Sequence, residues 1–224
     1  MPPKSVNVPD DMKEEFARAQ EDVERYFSEL RMDPSAGIIA ACDERYIIVR
    51  AASLSVHFLE FIMDMYPALE QAEALDASAR VMYDLARAIG QSDARHFHEV
   101  TEVEEPIEKL STGPVHFAYT GWAKVSIMPE SSPTPDESYF LLYEHVNTFE
   151  SDAWLDKRGK SDFCTCYWSA GYSAGWCTES FGVPLDAREF MCRAKGDPTC
   201  RFVMAHRNHL SERLEKWKGE HPEG

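Results

Sequence analysis

At 224 residues the chain is long enough for one large domain or a compact pair, and its 44% hydrophobic and 12% aromatic content excludes a disordered protein. Lys plus Arg number 23 against 39 Asp plus Glu, a formal net charge of −16 that repels phosphate backbones and argues against direct nucleic-acid binding. No run approaches eighteen apolar residues, and the opening "MPPKSVNVPDDMKEEF" lacks the apolar core of a signal peptide, which predicts a cytoplasmic protein without a membrane span.

The segment 10–31 reads as an amphipathic helix, with Met12, Phe16, Ala19, Val23, Phe27 and Leu30 at steps of three or four. "GIIAACDERYIIVRA" (37–51) sets two β-branched runs on either side of "CDER" and predicts a hairpin. Ser53 or Ser55 then opens an apolar helix that stops at Pro67. A longer helix is expected over about 76–98, with Val81, Met82, Leu85, Ala86 and Ile89 as its buried stripe and Gly90 as a point of bending or breakage. Gly113-Pro114 predicts a further helix break.

"WAKVSIM" and "SYFLLYEHV" are expected strands joined by an exposed, proline- and serine-rich loop. "CTCYWSAGYSAGWCTESFG" is dense in aromatic and small residues; "REFMCRA" and "TCRFVMA" then form a hairpin about "KGDP", and "HLSERLEKWK" a last helix. In all this predicts an α+β fold: an N-terminal helix and hairpin subdomain (1–75), a main domain (76–206) and a C-terminal helix and tail (207–224).

Six cysteines occur, at 42, 164, 166, 177, 192 and 200, and in a reducing compartment such a set reads as metal ligands or buried thiols before disulfides. Cys192 and Cys200 flank a tight turn and can share an ion, with Cys166 and Glu189 as candidates to complete a four-ligand zinc site. Residues three apart on a regular strand face opposite ways, so Glu189 and Cys192 converge only through a bulge, a strong twist or a helical turn. Buried, inert cysteines remain the alternative. Cys42, Cys164 and Cys177 read as packing residues, although Cys164 can replace Cys166 as a ligand. His96 and His98 diverge around a helix and read as solvated or packing groups. No phosphate loop, H-E-x-x-H or nucleophile elbow occurs, and no catalytic residue is singled out.

"CYWSAGYSAGWCTESFG" followed by "EFMCRAKGDPTCRF" resembles the 4-vinyl reductase domain family. The likeness is greater to the sensor domains of aromatic-responsive bacterial activators that work with sigma-54, and runs from about residue 36 to 206. The resemblance implies an α/β sandwich of the nitric-oxide-sensing and vesicle-tethering type, usually a dimer, with a structural zinc held by Cys166, Glu189, Cys192 and Cys200. It also implies a phenol-like ring in a closed apolar pocket. The family's hydroxyl-anchoring histidine falls here on Phe117, with His116 one residue early, and its tryptophan on His145. Phe117, Tyr119, Tyr143, His145, Trp168, Tyr172 and Trp176, with His116, are the candidate ligand-binding residues. The expected role is a zinc-stabilised sensor for a small aromatic or apolar molecule, acting as a homodimer on a downstream regulatory domain or protein. A tetrapyrrole-binding or reductase-accessory role, with His145 or His116 as axial ligand, is the alternative.

Overall fold

A computed structural model describes residues 3–220. The chain begins with β1 (Val6–Asn7), a 3-10 turn (Asp10–Met12) and α1 (Lys13–Ser28), whose buried face is Phe16, Ala19, Val23 and Tyr26. Leu30, expected on that face, lies past the helix end and is exposed. Three short strands follow, β2 (Arg31–Asp33), β3 (Ile38–Ala41) and β4 (Glu44–Tyr46), paired antiparallel in that order. The predicted hairpin thus has a third strand and ends at Tyr46, before the exposed Ile47 and Ile48. Its two-residue turn places Cys42 and Asp43 at φ of 45° and 64°, the pair of left-handed residues that matches the twist of a tight hairpin.

Two short helices come next, α2 (Ala51–Leu54) and α3 (Val56–Asp64), and then the longest, α4 (Gln71–Thr101). α4 crosses residue 75 without interruption, and β1 pairs with β5 (Ala123–Ile127) of the main sheet, so the expected boundary at 75/76 lies within a helix of a shared structure. α5 (Pro106–Tyr119) runs unbroken through Pro114. The predicted break is absent because Gly113 lets the indole of Trp176 lie against this turn, where a Cβ would come within 2.7 Å of it, and tertiary packing outweighs the lost hydrogen bond. The chain continues through β6 (Phe140–Thr148), α6 (Phe149–Arg158), α7 (Tyr167–Phe181), β7 (Leu185–Met191), β8 (Cys200–His206) and α8 (Leu210–Glu220). The main sheet has the order β1-β5-β6-β8-β7, antiparallel except for the β1–β5 pair. This mixture is α+β, as expected.

α4 and α7 cross at unusually close range. A Cβ on Gly171 would lie 2.2 Å from the Tyr83 carbonyl oxygen, one on Gly175 2.1 Å from that of Arg87, and one on Gly90 2.3 Å from that of Tyr172. Gly90 therefore neither bends nor ends α4; it admits the backbone of α7. The buried stripe is Ala74, Ser78, Met82, Ala86, Gly90 and Ala94, one small residue per turn apart from Met82. Val81 and Leu85, expected to be buried, stand on the exposed side. α7 is held by this contact over the sheet, with α5 beside it.

Candidate functional site

The cysteine cluster forms where the β7–β8 hairpin meets the start of α7. The pairing of β7 with β8 slips between Glu189 and Met191, the irregularity required for Glu189 and Cys192 to face the same point. After Cys192 the chain makes a short 3-10 turn (Arg193–Lys195), and Gly196 at φ 109° returns it toward Cys200. Cys166 sits immediately before α7. One donor atom from each of Cys166, Glu189, Cys192 and Cys200 lies within 4.8 Å of all the others, and the three cysteines are fully buried.

Several observations fit an ion at this point. A tetrahedron with metal–sulfur bonds of about 2.3 Å has edges of about 3.8 Å, and the Cys166 and Cys200 Sγ atoms are 3.7 Å apart. Glu189 Oε2 accepts the Cys166 backbone N–H at 2.9 Å, while its Oε1 is buried and has no partner. The Arg193 N–H donates to Cys200 Sγ at 3.4 Å. Burial pushes Glu189 and the Cys166 thiol well above their usual values, whereas hydrogen bonds from Cys164, Cys166 and Cys200 pull the Cys192 thiol down. Burial thus disfavours negative charge on Glu189 and Cys166, a cost that a bound divalent cation would offset. Cys164 touches Cys192 from outside the four-donor set.

Beside the cluster, α5, α7 and the sheet enclose an apolar cavity. Phe117 comes from α5, Leu141 and Tyr143 from β6, Met204 from β8, and Tyr172 and Trp176 from α7. The space in which the centre of a water molecule can move is about 30 Å³. Ser173 and Tyr143 are among the lining residues, but the wall they present to the space is wholly apolar, with the Tyr143 hydroxyl covered. The Tyr143 hydroxyl is fully buried with no partner at hydrogen-bond geometry, and Ser173 is the polar side chain near it. Gly113 and Pro114 also line the cavity, so the turn of α5 that lacks one backbone donor faces this space.

No family model matches the sequence. The phenol regulator MopR of Acinetobacter guillouiae is 22% identical over 202 residues, which cover 90% of this chain and 34% of MopR. The transcriptional regulatory protein XylR of Pseudomonas putida is 22% identical over 183 residues, 82% of this chain and 31% of XylR. The chain therefore spans about a third of the curated relatives it matches. The crystal structure of the phenol-responsive sensory domain of the transcription activator PoxR, with phenol, matches at a TM-score of 0.71 and 18% identity, covering 89% of this chain and 96% of that domain. The chain shares the fold of that PoxR domain. The likeness of this chain is to the sensor domains of aromatic-responsive activators, whereas the 4-vinyl reductase label finds no matching family model.

Within this fold the predicted ring set divides. Phe117, Tyr143, Tyr172 and Trp176 line the cavity. His145 lies just behind them, 5.2 Å from the Phe117 ring and 5.4 Å from that of Tyr143, and opposite Cys200 on β8. Both its ring nitrogens are buried without a partner, and burial holds its pKa down at about 3, so the ring is neutral. His116 and Phe117 are both buried, because α5 is covered on two sides. His116 points away from the sheet, packing on Phe27 and Phe97 with Nδ1 3.3 Å from the Tyr172 hydroxyl. That hydroxyl donates to Asp93 at 2.8 Å.

Two expected residues are elsewhere. Tyr119 is 39% exposed, stacks on Phe27 and accepts a hydrogen bond from Gln20 Nε2. Trp168 packs on Phe58 and Trp122, outside the cavity wall. Position 119 is near the C-terminal end of α5, and 168 is a full helical turn before Tyr172. Sequence reasoning missed Glu150, whose fully buried carboxylate accepts the Trp168 and Ser169 N–H groups at 2.8 Å each and caps α7. Nothing in "FESDAW" marks it, since its partners lie 18 and 19 residues later. Leu141 was detectable, because it shares a strand face with Tyr143 and His145.

Proposed function

We propose that this chain is a sensor module that takes up a small aromatic ligand of one ring in the cavity between α5, α7 and the sheet, and passes its occupancy to the control of transcription. The observation that carries this reading is an apolar cavity lined by Phe117, Tyr143, Tyr172 and Trp176, behind which the buried Tyr143 hydroxyl meets no partner at hydrogen-bond distance. A buried hydroxyl without a partner costs roughly 1–3 kcal/mol, and a ligand bearing a phenolic oxygen removes that cost once the side chains around it swing outward and uncover the hydroxyl. The names of the relatives support the same class, as a phenol regulator and a phenol-responsive domain.

The cavity's size sets the limit. About 30 Å³ is well below the ~150 Å³ apolar cavity that accepts benzene, so a ring enters only as side chains swing outward. That necessary rearrangement supplies the two states a sensor requires: ligand binds the widened state better and shifts the population toward it. Nothing in a space of this size favours the larger tetrapyrrole.

Cys166, Glu189, Cys192 and Cys200 would hold one zinc ion. Zinc would act structurally, tying the β7–β8 hairpin to the first turn of α7, the helix that carries Tyr172, Ser173 and Trp176 into the cavity wall. Exposed Ile47 and Ile48, 78% and 76% accessible, support association with a second copy through the N-terminal hairpin region.

Thermal unfolding of the purified chain against phenol, toluene, indole and a tetrapyrrole tests the reading. A ligand at about one hundred times its dissociation constant stabilises the folded state by about 2.7 kcal/mol. Single-ring compounds are expected to raise Tm, with phenol ahead of toluene. No shift with any single-ring compound would sink the proposal.

A further inference from the structure

We propose that Glu137, His206 and His209 form a separate surface site for a divalent first-row transition ion, and that the ion clamps the start of α8 to the sheet. One donor atom of each residue lies within 4.8 Å of the others. They come from three segments: the loop before β6, the last residue of β8, and the turn that leads into α8.

The local backbone builds the set. In "HRNH", the His209 N–H donates to the His206 carbonyl at 2.8 Å, closing a turn that holds the two rings 6.0 Å apart at 45°. Such tilted, separated rings can direct nitrogens to a common point instead of stacking. His206 is 5% exposed, so its ring is held by the surrounding packing, and its Nδ1 accepts the Asn208 N–H at 3.4 Å. His209 is more open, with Nε2 3.3 Å from Glu137 Oε2. Glu137 is placed by the bend at Asp136, whose carboxylate accepts the Ser138 N–H at 2.7 Å.

Two imidazoles and a carboxylate suit zinc, cobalt, nickel and copper, and leave room for water as a further ligand. Glu212, one helical turn beyond His209, lines the same hollow and adds negative charge. Arg213 is the positive group among the hollow's lining residues, and its guanidinium lies over the Phe140 ring, 5.5 Å from the centroid. The overall charge of −16 raises the cation concentration at the surface. An ion here ties loop, strand and helix together, and so fixes the direction in which α8 leaves the sheet.

The site is independent of the cysteine cluster and of any ring-shaped ligand. The test is metal titration of the whole chain by calorimetry with Zn²⁺, and by absorption with Co²⁺, on wild type, His209→Ala and Glu137→Gln. Both substituted side chains are at least 40% exposed, so the variants keep the fold. Wild type is expected to bind one more Zn²⁺ per chain than His209→Ala, with Glu137→Gln weakening that step by about tenfold or more. The corresponding Co²⁺ step should show weak visible bands without the intense near-ultraviolet absorption of thiolate ligands. Equal uptake by wild type and His209→Ala, unchanged affinity in Glu137→Gln, or thiolate absorption in that step would each overturn the site.

Discussion

Replacing Tyr143 with phenylalanine deletes one oxygen and leaves the rest of the cavity wall intact. In the free protein that oxygen is fully buried with no completed hydrogen bond. Burial drives its pKa well above the usual value, so it stays a neutral hydroxyl at any working pH. Tyr143→Phe removes an unpaired polar group at nearly constant volume and is expected to stabilise the unliganded chain by about 1–3 kcal/mol. For a chain of this length each kcal/mol moves Tm by about 2–4 °C. The same change should cut the Tm increment produced by phenol while sparing that of toluene, which offers no oxygen. The assay is a pair of thermal unfolding series, wild type and variant, at several concentrations of each compound. An unliganded variant less stable than wild type would show that the hydroxyl is already satisfied. An undiminished phenol increment would show that the ligand does not meet it.

Cys200→Ser is expected to lower zinc content from about one per chain toward zero and to cost about 3 kcal/mol or more, about 6–12 °C in Tm; elemental analysis beside thermal unfolding checks it, and unchanged content and stability refute a structural ion. Gly175→Ala puts a methyl group 2.1 Å from the Arg87 carbonyl oxygen and should cost about 1–3 kcal/mol, read as a lower urea midpoint. An unchanged midpoint would mean that α4 and α7 separate freely. Burial holds His98 at about 4 and His116 at about 3, both below their usual 6.5. At these two sites the unfolded chain therefore binds more protons than the folded one below pH 6.5, and their contribution to stability falls as pH drops from there toward 4, against the opposite contribution of buried Glu150, which is raised to about 8. The His98 share reaches about 3 kcal/mol near pH 4, so His98→Gln should flatten the profile; an identical slope in urea titrations across that range would contradict the assignment.

Local rules located most elements. Alternation and turn residues marked the β5–β6 and β7–β8 pairs, and the three-to-four spacing of Phe16, Ala19 and Val23 marked α1, because each pattern reports contacts within a few residues. The same rules misread α4. They placed Met82 and Ala86 on the buried face correctly but added Val81 and Leu85, which are exposed, and passed over Gly90 and Ala94, which continue the buried stripe. Small residues carry little apolar signal, and their value appears only when another backbone, here that of α7, comes to lie on them. Pro114 was misread for a related reason: its cost is local, and the packing of Trp176 against Gly113 is not.

The cysteines and Glu189 show a similar division. Their chemistry was legible in the chain, including the need for a bulge between Glu189 and Cys192. Their convergence with Cys166, across 34 positions from Cys200, is decided by the hairpin's register against α7. For the cavity, residue type alone nominated eight rings and could not choose among them. Whether a ring faces the space depends on its position in helix and strand and on what covers the other side, as Tyr119 and Trp168 demonstrate. The sequence by itself determined which side chains were available and most of the elements that bear them, since both follow from covalent structure and short-range periodicity. Which of those side chains share one enclosed volume, and which polar atoms there go unpaired, was decided only by the tertiary structure, because burial and hydrogen-bond satisfaction are properties of contacts between segments distant along the chain.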